Sequence, residues 1–148
     1  MKKLKFYIVS VLFTMVLTLP MAAQDMQDLI YQCASNAGED ATYLKDFVVK
    51  LDGVKSGERP PNFRQSLALR KNIIYRFSVC NMDNSEGEAV LRLYDQSKQI
   101  LSTYYPESGK EYRLINFQCK KSGIYTVMIN FKEGKPGEAI GILSYVGK

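Results

Sequence analysis

The sequence predicts an all-β protein, an antiparallel sandwich or barrel preceded by one short helix. Three observations lead there. Short runs of alternating apolar and polar residues recur at even spacing from residue 46 onward. Turn-forming residues separate them: Gly, Pro, Asn, Asp and Ser fill nearly every gap. The helical period appears in only one place, before the first of these runs. Strands at regular short intervals with turn chemistry between them belong to sandwiches and barrels rather than to βαβ units.

The elements follow in order. In "DMQDLIYQCASNAG" the apolar residues Met26, Leu29, Ile30, Cys33, Ala34 and Ala37 fall at i, i+3, i+4, i+7 spacing, which predicts a helix over 25–37 with Gly38 as its stop. Its apolar stripe must pack on whatever follows. "DFVVKL" sets Phe47, Val49 and Leu51 on one face, "FRQSLAL" groups Phe63, Leu67 and Leu69, and "IIYRFSVC" groups Ile73, Tyr75, Phe77 and Val79. "AVLRLY" and "QILSTYY" flank the turn "DQSK"; "EYRLINFQC" puts Ile115, Phe117 and Cys119 together; "IYTVMINF" and "AIGILSYV" complete the set. No internal repeat and no low-complexity tract interrupts the pattern.

The first 23 residues read differently. Lys2, Lys3 and Lys5 precede an apolar run from Phe6 to Leu19, Pro20 ends it, and Ala22 and Ala23 supply small residues. That order is a secretory signal peptide of bacterial style, cut after Ala23 to leave residues 24–148 as a single domain. The run is shorter than the roughly 20 residues a membrane span needs, so no span is expected once the leader is removed. No cysteine follows it, which argues against a lipoprotein. The expected location is periplasmic or secreted. Of 20 basic side chains, three lie in the leader, and all 15 acidic ones lie beyond it, so the mature charge is about +2 rather than +5. No basic block remains to mark a nucleic-acid surface.

"YRFSV" at Tyr75–Val79, "LYD" at Leu93–Asp95 and "SGIY" at Ser122–Tyr125 together resemble the bacterial pre-peptidase C-terminal domain family. The resemblance runs from about Phe63 to Val146. It implies a small secreted β-sandwich of jelly-roll-like order with a non-catalytic role. One departure is the turn after Asp95, which is Gln96-Ser97-Lys98 with no glycine.

Several chemistries are missing. The chain has no histidine, which removes Ser-His-Asp and Cys-His nucleophilic sites and most transition-metal sites. Neither GxxxxGK[ST] nor GxGxxG occurs, and no cofactor is expected. Asp83, Glu86 and Glu88 form the densest acidic group, read first as a solvated turn. Asn81, Asp83, Ser85 and Glu86 offer the hard oxygens of a calcium site, but Gly87 falls one place late for an EF-hand loop. A carboxylate pair for glycoside hydrolysis would have to come from the fold, through Asp46, Asp95 or Glu111. Ser122 beside Lys121 is a turn residue before Gly123 rather than a nucleophile.

Three cysteines, Cys33, Cys80 and Cys119, enter an oxidising compartment, so one disulfide is expected with one thiol left over. Cys33 lies on the helix stripe and Cys119 shares a face with Ile115 and Phe117, whereas Cys80 alternates opposite to Phe77 and Val79. The face argument favours Cys33–Cys119, a staple from helix to sheet, with Cys80–Cys119 or no bridge as alternatives.

What remains is a binding role. "STYYPESGKEY" gathers Tyr104, Tyr105, Glu111 and Tyr112 around one turn. Adjacent strand residues alternate faces, so Tyr104 and Tyr105 cannot both enter the core, and the hairpin is the expected contact surface. The expected function is a non-enzymatic adaptor that contacts an envelope or extracellular protein. A carbohydrate-binding module, with the tyrosines as a platform for a polysaccharide, is the alternative, and a carboxylate glycosidase a more distant one.

Overall fold

The structure is a computed structural model and describes residues 22–147. The expected leader lies outside the described residues except for Ala22 and Ala23, which open the helix. That helix, α1, spans Ala22–Ser35, set toward the N-terminus of the expected 25–37. Ten strands follow: β1 (Thr42–Leu51), β2 (Phe63–Leu69), β3 (Ile74–Asn81), β4 (Ala89–Asp95), β5 (Lys98–Ser102), β6 (Tyr104–Tyr105), β7 (Lys110–Glu111), β8 (Leu114–Gln118), β9 (Gly123–Phe131) and β10 (Gly137–Gly147).

Two four-stranded antiparallel sheets pack face to face. The first has the order β1-β10-β3-β8 and the second β2-β9-β4-β5, with β6-β7 as a separate two-stranded ribbon. Leaving out that ribbon, the chain crosses between sheets at every step but β4 to β5, a hairpin within the second sheet, which gives the two nested Greek keys of a jelly roll. The core lies between the sheets, where each strand contributes alternate residues: Phe47 and Val49, Leu67 and Leu69, Tyr75 and Phe77, Leu91 and Leu93, Val127 and Ile129. Gly141 of β10 faces this layer, and a Cβ there would come within 2.8 Å of Ile129 and 3.1 Å of Phe47. Its lack of a side chain lets residues of both sheets meet over β10.

The helix does not enter this core. Its stripe of Met26, Leu29, Ile30, Cys33 and Ala34 lies on the outer face of the first sheet, against Ile140 and Ile142 of β10 and Cys80 of β3. Gly38 stops the turn after it in a left-handed conformation, φ +99°, which glycine adopts without strain.

Here the expected cystine pairing is corrected. Cys33 is bonded to Cys80, with Cα atoms 6.0 Å apart, and neither the Cys33–Cys119 nor the Cys80–Cys119 bridge forms. The physical reason is the side of the sheet on which the helix sits. Cys80 does point away from Phe77 and Val79, but that outward face is the one α1 covers. Cys119 points inward, is fully buried between the sheets, and keeps a free thiol.

Two expected strands are also divided. "QILSTYY" breaks at Thr103. The Leu91 N–H donates to Thr103 Oγ1 (2.9 Å), and Thr103 N–H in turn donates to Leu91 O (2.9 Å). The side-chain oxygen takes the place of a backbone acceptor, and the chain then leaves β4 to form β6. "EYRLINFQC" likewise divides into β7 and β8, because Tyr112 N–H donates to Thr103 O (2.8 Å) and carries the ribbon clear of β3.

Of the segments carrying the family resemblance, Tyr75–Val79 lies in β3, Leu93–Asp95 ends β4 and Ser122–Tyr125 opens β9. The turn that lacks glycine places Gln96 at φ +54°, so a glutamine holds the left-handed position.

Candidate contact hairpin and its lysine prop

The β6–β7 ribbon pairs Tyr104 with Glu111 and Tyr105 with Lys110. Its loop, Pro106 to Gly109, closes through a Ser108 N–H to Tyr105 O bond (3.3 Å) and ends on Gly109 at φ +67°. Proline early and a left-handed glycine late are what a four-residue hairpin loop requires.

Tyr104 and Tyr105 are both half-buried and face opposite ways. Tyr105 leans toward β8, where its ring meets Tyr112 edge-on, with centroids 6.2 Å apart and planes at 87°. Its hydroxyl accepts from Ser102 N–H (3.2 Å). With Leu114, these two rings line a cleft of about 570 Å³. Tyr104 leans the other way, into a second cleft of about 400 Å³ that includes Pro106 and Arg92.

Lys132 holds the ribbon in place. It lies just beyond β9 in a short 3-10 turn, Lys132–Gly134, and its N–H donates to Glu88 O (2.9 Å). Its ammonium stands 4.2 Å from the Tyr104 ring centroid and donates to Glu88 Oε2 (2.5 Å) and Glu111 Oε1 (3.1 Å). Its side chain is only 20% exposed. The hydrogen bond to Glu88, with that to Glu111, raises the Lys132 pKa above its ordinary 10.5, and the same bond holds the Glu88 carboxyl below 4.5. Nothing in "KEGKPGE" marks this lysine in the sequence, where it reads as one more turn residue. Its alternation from the buried Phe131 is the available clue, and it becomes informative only once β7 is seen alongside.

The fold therefore joins Glu111 to Glu88 rather than to Asp46 or Asp95. Asp46 sits on β1 and accepts from the Tyr43 hydroxyl, and Asp95 ends β4. A glycosidase needs one carboxyl kept protonated as the acid. An ammonium bridging both carboxylates, with the Glu88 pKa lowered, works against that state.

Two of the four proposed calcium ligands, Asn81 and Ser85, are engaged in hydrogen bonds within the protein. Asn81 Oδ1 accepts from Ala89 N–H (2.8 Å). Ser85 Oγ donates to Gly87 O (2.7 Å) and accepts from Glu138 N–H (3.1 Å). Among the described residues no three His, Cys, Asp or Glu side chains gather as metal ligands would. Ser122 Oγ accepts from Lys71 N–H (2.8 Å) and ties two turns together.

Arg76 is the other polar residue that sequence reading did not single out. It is 9% exposed on the outer face of β3. Its guanidinium donates to Ala37 O in the turn after α1, to both carboxylate oxygens of Asp40 and to Asn116 Oδ1. The Arg76 hydrogen bond holds the Asp40 carboxyl below 3.8. The signal was an arginine at an alternate position between the apolar Tyr75 and Phe77, which in a one-sided sheet reads as solvent-facing.

Among the described residues no helix is long and apolar enough to cross a membrane. No protein-family model matches the chain, and no curated protein matches it. Among solved structures the chain is similar to the periplasmic inhibitor of g-type lysozyme from Aeromonas hydrophila, PliG, at TM-score 0.47 and 9% identity, over 70% of this chain and 87% of that one.

Proposed function

We propose that the protein is a non-catalytic binding module of the periplasm or cell exterior that works through contact with another protein at the β6–β7 hairpin. The observation that carries this reading is a ribbon standing off a closed sandwich. It presents Tyr104 on one side and Tyr105, Tyr112 and Leu114 on the other. Tyrosines combine apolar area with a polar tip at little entropic cost, which suits an interface anchor. The absence of histidine and the ammonium bridging Glu88 and Glu111 support a role without catalysis. The Cys33–Cys80 bridge and the leader-like start support an oxidising location. The rings do not suit the polysaccharide platform considered from sequence, because Tyr105 and Tyr112 stand edge to face and Tyr104 turns away from both.

The test is capture from native envelope extract, using the secreted protein with Tyr104→Ala, Tyr105→Ala and Tyr112→Ala as comparisons. The reading expects a stoichiometric protein partner that the tyrosine variants lose. Equal capture by wild type and all three variants would remove the hairpin from the interface. No capture at all would remove the adaptor role.

A further inference from the structure

On the far side of Tyr112 from the Tyr105 cleft lies a third hollow, of about 680 Å³. It opens on the outer face of β3, between the end of α1 and the segment leading into β8, and runs over the end of β3 to the start of β4. Its volume is within the range of small-ligand sites.

Ser78 is the notable residue of its lining. Strand alternation places it on the outer face with Arg76 and Cys80, between Ile142 of β10 and Leu114 of β8. It is only 4% exposed, and its Oγ is the one buried side-chain polar atom among the described residues with no hydrogen-bond partner. A buried hydroxyl without a partner costs about 1–3 kcal/mol, so native structures rarely keep one without a use. Neighbouring Arg76 bonds to Ala37 O, Asp40 and Asn116, whereas Ser78 Oγ has no partner.

The rest of the lining says what would satisfy it. Asn36 and Asn81 bring amide groups, and Arg113, Glu88 and Glu111 bring charges, beside the half-exposed ring of Tyr112. The charges cancel once Lys132, already bonded to both carboxylates, is included. A net anion would face two carboxylates. A net cation would compete with an ammonium already seated between them. A neutral molecule that both donates and accepts hydrogen bonds, with an apolar face for Tyr112, fits this surface. We infer that this hollow is a binding site for a neutral oligosaccharide of about two or three sugar units, with Ser78 at its floor and Asn36 and Tyr112 at its walls.

The site shares Tyr112 and Leu114 with the hairpin contact surface but not Tyr104 or Tyr105, and the experiment separates them. The secreted protein is titrated by saturation-transfer and chemical-shift NMR with maltotriose, cellotriose and chitotriose. At least one should bind with a Kd at or below about 1 mM. Ser78→Ala and Asn36→Ala should each weaken that binding about fivefold or more, while Tyr104→Ala leaves it unchanged even where it abolishes protein capture. In the ligand-free protein, Ser78→Ala should melt at the same temperature as wild type or higher, because it removes an unpaired buried hydroxyl. Three results would each overturn the inference: no binding of any of the three sugars at about 10 mM, binding indifferent to both substitutions, or a marked fall in Tm for ligand-free Ser78→Ala.

Discussion

Two segments lie outside the sandwich, α1 and the β6–β7 ribbon, and they are tied down in different ways. The helix is held three times over: by an apolar stripe on Ile140 and Ile142, by the Cys33–Cys80 bridge, and by Arg76 bonding to the turn that follows it. The ribbon carries no buried stripe. It depends on Thr103 at its base and on a single ammonium that contacts Glu88, Glu111 and Tyr104 at once. A segment held by independent contacts keeps its place when one is lost. A segment held by a few exposed polar contacts can shift when something else binds one of them. The helix is thus a structural cover, and the ribbon has the local weakness expected of a surface that meets a partner.

Removing the bridge tests the first half of that contrast most severely. The cysteines are 47 residues apart in sequence, and closing a loop of that length is worth about 4 kcal/mol in the chain-entropy model. Cys33→Ala with Cys80→Ala should lose about that much in urea unfolding, with strand content by circular dichroism retained. A loss under about 1 kcal/mol would mean that the stripe and Arg76 hold the helix alone.

Arg76→Met comes next. It leaves the buried Ala37 O without its donor, at a cost of about 1–3 kcal/mol, whereas the exposed Asp40 carboxylate returns to water. Hydrogen exchange should speed up at the end of α1 and in the 36–41 turn, and hardly at all in the ribbon.

Lys132→Met should show the reverse pattern. Its partners Glu88 and Glu111 are more than half exposed, so global stability should fall by no more than about 1 kcal/mol. Amide exchange at Tyr105 and Lys110 should rise well above wild type while α1 stays protected. An unchanged ribbon would show that Thr103 suffices.

The smallest effect is the pH profile. Glu88 and Asp40 have lowered folded pKa values, so their contributions are complete above the unfolded carboxylate range and are lost as pH falls through the folded values. Lys132 has a raised value, so its contribution is complete below 10.5 and is lost as pH rises beyond it. Tyr125, pushed up to about 12 mainly by burial, with a hydrogen bond to Cys119, adds to the alkaline loss between 10 and 12. Tm should be level from about pH 5 to 9 and decline on both sides. Lys132→Met should shallow the acid limb without removing it, since Asp40 remains.

The fold was legible because the core-facing residues of most strands alternate, from Phe47 and Val49 through Ile115 and Phe117. The bridge was misread for one reason. Period-2 alternation says which residues share a face, but not whether a second layer covers the other face. Cys80 was set opposite the core face on that ground, and α1 covers that outer face. The hairpin was legible from "PESGK", but its support was not. Lys132 and Glu88 reach Glu111 from distant segments, and pairing of that kind leaves no local mark. Ser78 was hidden likewise, as a small polar residue at an ordinary strand position.

Cys119 gives the chain a safeguard during oxidation. Three thiols permit three pairings, and only one matches the fold. The thiol of Cys119 is fully buried between the sheets, where it donates to Lys121 O (3.2 Å). Once the two sheets close, oxidants cannot reach it, and Cys33 and Cys80 are the pair left in reach. If oxidation outruns closure, Cys119 can be trapped in a bond that keeps the sheets apart. The correct product therefore depends on the relative speed of two events, sheet closure and thiol oxidation, rather than on a preference among the sulfurs themselves.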